Sequence, residues 1–313
     1  MPPGTNDVPT GSRTCIVTNI DAPQWFSDAV AIKPVESDIE VLGSSIHVRS
    51  WGEEDLPGVV LVHGGAAHSG WWDHVAPFLA RDHRVVALDL SGHGDSAWRE
   101  DYKVEYWSAE VLAVAEASNF IRPPVLIGHS MGGWVCMDAA KGDARIAGVA
   151  VIDTPLRSPS PEQTAARDKR AFGPLKVYAA LDEALVRFRT VPDQADSLPY
   201  VMDHVARGSV REVDGGWSWK FDPSMFGSAR PSPELLRSVR CRAALFRAER
   251  GMVTQDVASD MYEMFGRSAP VIEIPLAGHH VMLDQPLPLV SGLLTLLADW
   301  DHSRAQVAGA QHM

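Results

Sequence analysis

The chain has 313 residues, 45% of them hydrophobic and 22% charged, which is enough apolar material for one large α/β domain with an insertion or for two modest domains. Its net charge of −12, without a long basic run, argues against a nucleic-acid or anionic-membrane partner. Cys15, Cys136 and Cys241 lie too far apart for a disulfide framework or a C-x-x-C ligand pattern, which suits a reducing compartment.

The opening residues lack the basic and apolar segments of a signal peptide, and no apolar run is long enough to span a bilayer. A cytoplasmic location is therefore expected, with a monomer or homodimer as the assembly. Residues 1–35 read as a loosely ordered arm in which Trp25 and Phe26 are the residues able to dock on the body. A hairpin follows, with Ile39–Leu42 and Ile46–Trp51 around the Gly43-Ser44 turn. Val59–Val62 is a short unbroken apolar run, as expected of a strand buried on both faces. It ends in His63-Gly64-Gly65-Ala66-Ala67-His68. A helix is expected over Trp72–Ala80, a buried strand over Val85–Asp89, a turn-rich loop through Ser96, and a helix over Val104–Ser118.

Next comes Val125-Leu126-Ile127-Gly128-His129-Ser130-Met131-Gly132-Gly133, an apolar strand, a Gly-x-Ser-x-Gly turn and a helical pattern through Trp134, Val135, Met137 and Ala140. In that context the motif reads as a nucleophile elbow: small residues leave room for a sharp turn, and the helix N-terminus aims backbone N–H groups at the site. Another buried strand runs from Ile146 to Asp153. The β/α alternation stops at Thr154-Pro155, and residues 155–235, rich in proline, read as an inserted, largely helical cap. Cys241–Phe246 resumes the sheet, Asp256–Phe265 suits a helix, Val271–Ile274 gives the last strand, and a helix covers Leu287–Trp300. The core is thus expected over 36–154 and 236–302, with a frayed tail over 303–313.

The four motifs His63-Gly64-Gly65, Asp89 to Ser96, Gly128 to Gly133 and Gly278-His279 together resemble the α/β-hydrolase superfamily in its capped branch, over roughly residues 38–300. The resemblance implies an α/β-hydrolase fold: a mostly parallel eight-stranded sheet with helices on both faces and the inserted helical cap. It also implies Ser130 as nucleophile and His279 as base, with His280 as the neighbouring competitor. Many members carry the acid in a Gly-x-x-Asp loop after the penultimate strand, but here that position holds Gly251. Haloalkane dehalogenases and zearalenone-type lactonases instead place it after the strand following the elbow helix, which here is Asp153. Asp256 and Glu249 remain the alternatives. The backbone N–H groups of Gly65 and Met131 are the natural oxyanion pair.

Trp71, Trp72, Trp217 and Trp219 are candidate pocket residues. One of Arg157, Arg167, Arg170, Arg187 and Arg189 in the cap is a candidate partner for a substrate carboxylate. No zinc-ligand spacing stands out among the histidines, so no metal is expected, and serine hydrolysis needs no other cofactor. The expected activity is hydrolysis of a small-molecule carboxylic ester or lactone, hydrophobic or aromatic in character. A C–C bond hydrolase of a ring-cleavage product and a non-catalytic ligand-binding protein of the same fold are the rival readings.

Overall fold

Ten strands occur among the residues that the computed structural model describes, namely 21–142, 145–156, 175–227 and 232–310. They are β1 (Val35–Val41), β2 (Ser44–Trp51), β3 (Gly58–Val62), β4 (Arg84–Leu88), β5 (Val125–His129), β6 (Gly148–Ile152), β7 (Val210–Val213), β8 (Gly216–Trp219), β9 (Arg242–Ala248) and β10 (Val271–Ile274). Eight of them form one sheet in the order β1-β2-β4-β3-β5-β6-β9-β10, and every pairing from β4 to β10 is parallel. The mostly parallel sheet is the one that the alternating apolar runs imply, and its eight strands are those expected from the resemblance.

The central strands are buried along their whole length, so their side chains alternate between two cores. Val59, Leu61, Ile127, Ala150 and Ile152 face a cluster containing Trp72, Leu79, Leu293 and Trp300. Val60, Val62, Leu126, Val149 and Val151 face the other, with Trp107, Val135 and Met137. The register brings the carboxyl ends of neighbouring strands level, since His129 pairs with Ile152 and Ile152 with Phe246. The loops that leave β3, β5, β6, β9 and β10 therefore gather at one edge, where open α/β sheets place their sites.

Several expectations need correction. Gln24–Ala31, assigned to a loose arm, is a helix. Phe26 is buried, with its ring 4.9 Å from Tyr200 and 5.7 Å from His74, and that docking orders the segment. Residues 1–20 of the expected arm lie outside the described residues. The helix expected over Trp72–Ala80 is a 3-10 turn at Ser69–Trp72 and one helical turn at Ala76–Leu79, with Pro77 in its first turn. The insertion, expected to be largely helical, includes the antiparallel hairpin β7–β8 beside helices Leu181–Leu185 and Pro199–Gly208. The last helix runs Pro286–Ala310, into the stretch expected as a frayed tail. No helix among the described residues is long and apolar enough to cross a membrane.

Both cores enclose histidines. Burial pushes His68 and His74 down to about 4, and His93 and His280 down to about 3. All four are thus neutral in the fold, whereas the unfolded chain protonates them near the ordinary 6.5. Stability is present in full above that value and is lost as pH falls below it, by up to about 1.4 kcal/mol per pH unit for each group. Asp284, pushed up to about 6 by burial, works in the opposite direction but is one group against four. The thermal unfolding midpoint is expected to fall steeply between pH 6.5 and 5, as on the order of several kcal/mol of stability is lost. A midpoint flat across that range would contradict it.

Candidate active site

Ser130 follows β5 directly and opens the helix Met131–Ala139. Its φ of 51° lies in the left-handed region, a strained conformation for a side-chain-bearing residue. The strain is held by the bond from the Ser130 N–H to the Ile152 carbonyl (3.0 Å) and by close backbone packing. A methyl group at Gly128 would run into the Gly132 carbonyl, and one at Gly132 into the carbonyls of Val62 and His63. Small residues on both sides of Ser130 are therefore required by contact as well as by the turn.

The hydroxyl of Ser130 donates to Nε2 of His279 at 3.0 Å. Nδ1 of His279 donates to Oδ2 of Asp153 at 2.7 Å. That second bond sets the tautomer, because a proton on Nδ1 leaves Nε2 as the acceptor facing the hydroxyl. Asp153 is fully buried at the end of β6, and three backbone N–H groups also point at its carboxylate: Met252 (2.7 Å), Ala248 (3.2 Å) and Val253 (3.3 Å). Burial alone would raise the carboxyl, but the hydrogen bond and charge of His279 and these N–H groups hold it below the usual carboxylate range.

The loop after β9, where many relatives carry an acid, thus cradles an acid from the neighbouring strand. Gly251 makes that possible, because a methyl group there would occupy the space of the Asp153 carboxylate. Gly251→Ala is expected to lower kcat roughly 10²-fold by displacing the acid that orients His279. Steady-state kinetics with a check of the unfolding midpoint measures this, and an unchanged kcat would contradict it. The alternatives lie elsewhere: Asp256 pairs with the Thr254 hydroxyl in the first turn of Gln255–Met264, and Glu249 accepts from the Leu276 N–H at 2.6 Å.

Three contacts hold the His279 loop. Nε2 of His129, the residue before Ser130, donates to the His279 carbonyl at 2.9 Å; the Gly278 N–H donates to Asp284 at 2.6 Å; and Oε1 of Gln194 accepts from the His280 N–H at 2.8 Å. Nε2 of His280 donates to the Pro192 carbonyl at 3.1 Å, so it turns away from Ser130. The roles of His129 and Gln194 were not visible in the sequence; the first lay inside the elbow motif, the second in a proline-rich stretch without pattern.

Gly65 follows β3 and Met131 follows Ser130, and their closeness shows in the 3.8 Å from a methyl built on Gly65 to the Met131 sulfur. The Met131 N–H, in the first helical turn, has no acceptor within its helix. His63 has both ring nitrogens in use: Nδ1 donates to the Gly64 carbonyl at 2.7 Å and Nε2 accepts from the Leu90 N–H at 3.0 Å. Its ring shapes the loop that carries Gly65.

A cavity of about 280 Å³ opens beside Gly65 and His280, lined by Trp71, Phe188, Trp219 and Phe221 among others. Trp71 and Trp219 stand on it, whereas Trp72 is fully buried in the core and Trp217 packs in the small cluster around Tyr178 and Leu185. These last two depart from the pocket positions expected of them: Trp72 falls on the core face of its 3-10 turn, and Trp217 on the hairpin side that pairs with Tyr178. Arg157, Arg167 and Arg170 lie outside the described residues. A larger cavity of about 600 Å³, lined by Arg49, Asp73, Asp203, His204 and Lys220 among others, reaches none of Ser130, His279 and Asp153.

Among the described residues, two groups stand close enough to share a cation: His129, His279 and His280, and His47, Asp89 and Asp95. In the first, His279 is engaged on both ring nitrogens and the other two each donate to a carbonyl. In the second, Lys220 already sits on Asp95 at 2.7 Å, and Asp89 accepts backbone N–H groups.

Comparison with known proteins agrees with the geometry. The family model described as "Alpha/beta hydrolase family" matches residues 59–291. A "serine hydrolase-like protein" of Danio rerio is 28% identical over 271 residues, covering 78% of this chain and 82% of that protein. An esterase of Mycobacterium tuberculosis is 26% identical over 277 residues, covering 82% and 88%. Among solved structures, the thioesterase domain from the curacin biosynthetic pathway matches with a TM-score of 0.71 at 23% identity, covering 83% of this chain and 99% of that one. E-2-(acetamidomethylene)succinate hydrolase matches with a TM-score of 0.74 at 18% identity, covering 85% and 99%. At these identities the two structures speak for the fold alone.

Proposed function

The chain belongs to the α/β-hydrolase family, and from that premise we propose that it is a serine hydrolase cleaving a carboxylic ester or lactone through an acyl-enzyme on Ser130. The observation that carries this reading is the unbroken line of contacts from the Ser130 hydroxyl through His279 to the buried Asp153. A serine hydroxyl attacks a carbonyl only when a base takes its proton, and Nε2 of His279 is within reach of that proton. The developing imidazolium is stabilised by the Asp153 carboxylate, which the backbone of the Ala248–Val253 loop keeps charged and fixed. The oxyanion of the tetrahedral intermediate is held by the N–H groups of Gly65 and Met131.

His279 then returns the proton to the leaving alkoxide. Water, deprotonated by the same nitrogen, attacks the acyl carbon and restores Ser130. The nucleophile is a hydroxyl and not a carboxylate, which separates this site from dehalogenase and epoxide-hydrolase chemistry. The aromatic wall of Trp71, Phe188, Trp219 and Phe221 favours an apolar or aromatic substituent on the ester. The esterase-named relatives support hydrolysis of this general kind.

Initial rates on p-nitrophenyl acetate, longer acyl esters, aromatic half-esters and lactones test the reading. Turnover of at least one ester or lactone, in a ranking that follows the apolar cavity, is the expected result. No turnover of any ester, with cleavage of a vinylogous 1,5-diketone ring-cleavage product instead, would replace it with C–C bond hydrolysis.

A further inference from the structure

Among the described residues, the charged side chains that line the apolar cavity beside Gly65 and His280 are Lys176, Arg187 and Arg189, with no aspartate or glutamate. Among the described residues none of the three cations meets a carboxylate. Lys176 and Arg187 stand over the Tyr178 ring, at 5.3 and 5.4 Å. Arg187 also donates to the Glu183 carbonyl at 2.8 Å, and Arg189 to the carbonyls of Phe188 (2.6 Å) and Val186 (3.2 Å).

The chain has 40 acidic and 28 basic side chains, and the cations around the larger cavity meet acids: Arg49 meets Asp73 and Glu36, Lys220 meets Asp95, and Arg207 meets Asp203. All of those pairs border the larger cavity, which thereby carries its own counter-charges. Three cations lining one cavity, none of them paired with an acid among the described residues, repel one another, and an anion seated among them relieves that repulsion. Arg187 and Arg189 add forked donors that match a carboxylate or phosphate, and the filled cavity beneath excludes the water that screens such pairs.

We propose that this cavity binds the anionic end of the substrate: an ester whose apolar arm lies against Trp71, Phe188 and Trp219 and ends in a carboxylate or phosphate held by Lys176, Arg187 and Arg189. That the anion belongs to an ester rests on the serine-hydrolase reading; that the cavity takes an anion does not.

The test uses three p-nitrophenyl esters of equal acyl length, ending in a methyl, a carboxylate or a phosphate group. The wild-type protein is expected to show kcat/KM at least about tenfold higher for one of the anionic esters than for the neutral one. The carboxylate and phosphate arms identify which anion is preferred. In the double variant Arg187→Gln/Arg189→Gln the ratio of anionic to neutral kcat/KM falls to about one, and 0.5 M salt lowers it in the wild type. Preference for the neutral ester, or a ratio that the double variant leaves untouched, overturns the proposal.

Calorimetric titration of Ser130→Ala with 4-phenylbutyrate, 4-phenylbutyl phosphate and 4-phenylbutanol separates the two readings. Tighter binding of an anion than of the alcohol, lost in the arginine double variant, upholds the anion site even where no ester is turned over. Ester turnover without any preference for an anion, in rates or in binding, removes the anion site and leaves the serine hydrolase standing.

Discussion

Ser130→Ala is expected to lower kcat for the best ester by about 10⁴- to 10⁶-fold, leaving the fold intact. The large loss follows from the chemistry. Without the hydroxyl no covalent acyl-enzyme forms, and the surrounding N–H groups retain only what binding and oxyanion contacts can do for attack by water. The intact fold follows from the structure. Among the described residues the hydroxyl bonds to His279 alone, while the elbow is held by main-chain bonds and by the close packing of Gly128 and Gly132. Alanine tolerates the left-handed backbone at this position about as poorly as serine does, so the unfolding midpoint should move little. The same variant is expected to keep its binding of product-like ligands. Residual activity within tenfold of wild type would show that the hydroxyl is not the group attacked.

The second large effect concerns the acid. Asp153→Asn is expected to lower kcat by on the order of 10³- to 10⁴-fold, while Asp256→Asn leaves it within about twofold. In the wild type the carboxylate accepts from Nδ1 of His279 and from three backbone N–H groups, so its surroundings consist of donors. An asparagine amide must turn its NH₂ toward at least one of them. Facing the imidazole, it favours the tautomer with the proton on Nε2, which cannot accept from Ser130. Facing the loop, it breaks the cradle built by Ala248, Met252 and Val253. Asp256 sits in the first turn of a helix with the Thr254 hydroxyl, and its neutralisation removes a favourable helix-end charge of a few tenths of a kcal/mol. The opposite order of the two effects would move the acid to Asp256.

Much of this architecture is legible in the sequence because its signals are local. Val59–Val62 and Val125–Ile127 are apolar without interruption, and only a strand covered on both faces can use such a run. The Gly-His-Ser-Met-Gly turn between one of those strands and a helix is equally local. The partnership of Asp153 with His279 is not: the two residues lie 126 positions apart, and the register of β6, β9 and β10 brings their loops together. Glycine in place of an acid at position 251 turns the expectation toward Asp153, but the room that Gly251 leaves for a carboxylate arriving from β6 is a property of packing.

The cap was harder to read for two reasons. Asp214-Gly215 is a strong hairpin signal, flanked by Val210 and Val213 on one side and Trp217 and Trp219 on the other, and the alternating aromatics carry the β period. The prolines of residues 155–235 point instead to an interrupted, largely helical insertion. The helix Gln24–Ala31 is short and was read as arm because its order comes from Phe26 docking on Tyr200 and His74, residues remote in the chain. His129 and Gln194 hold the His279 loop through single hydrogen bonds, and no pattern in a sequence announces such contacts.

Reaction with a fluorophosphonate, followed by peptide mass spectrometry, identifies the nucleophile. One covalent adduct per chain is expected, on the peptide containing Ser130. The adduct should be absent in Ser130→Ala and form at least about tenfold more slowly in Asp153→Asn. An unlabelled protein, or an adduct that persists on another residue when Ser130 is replaced, would contradict Ser130 as the nucleophile.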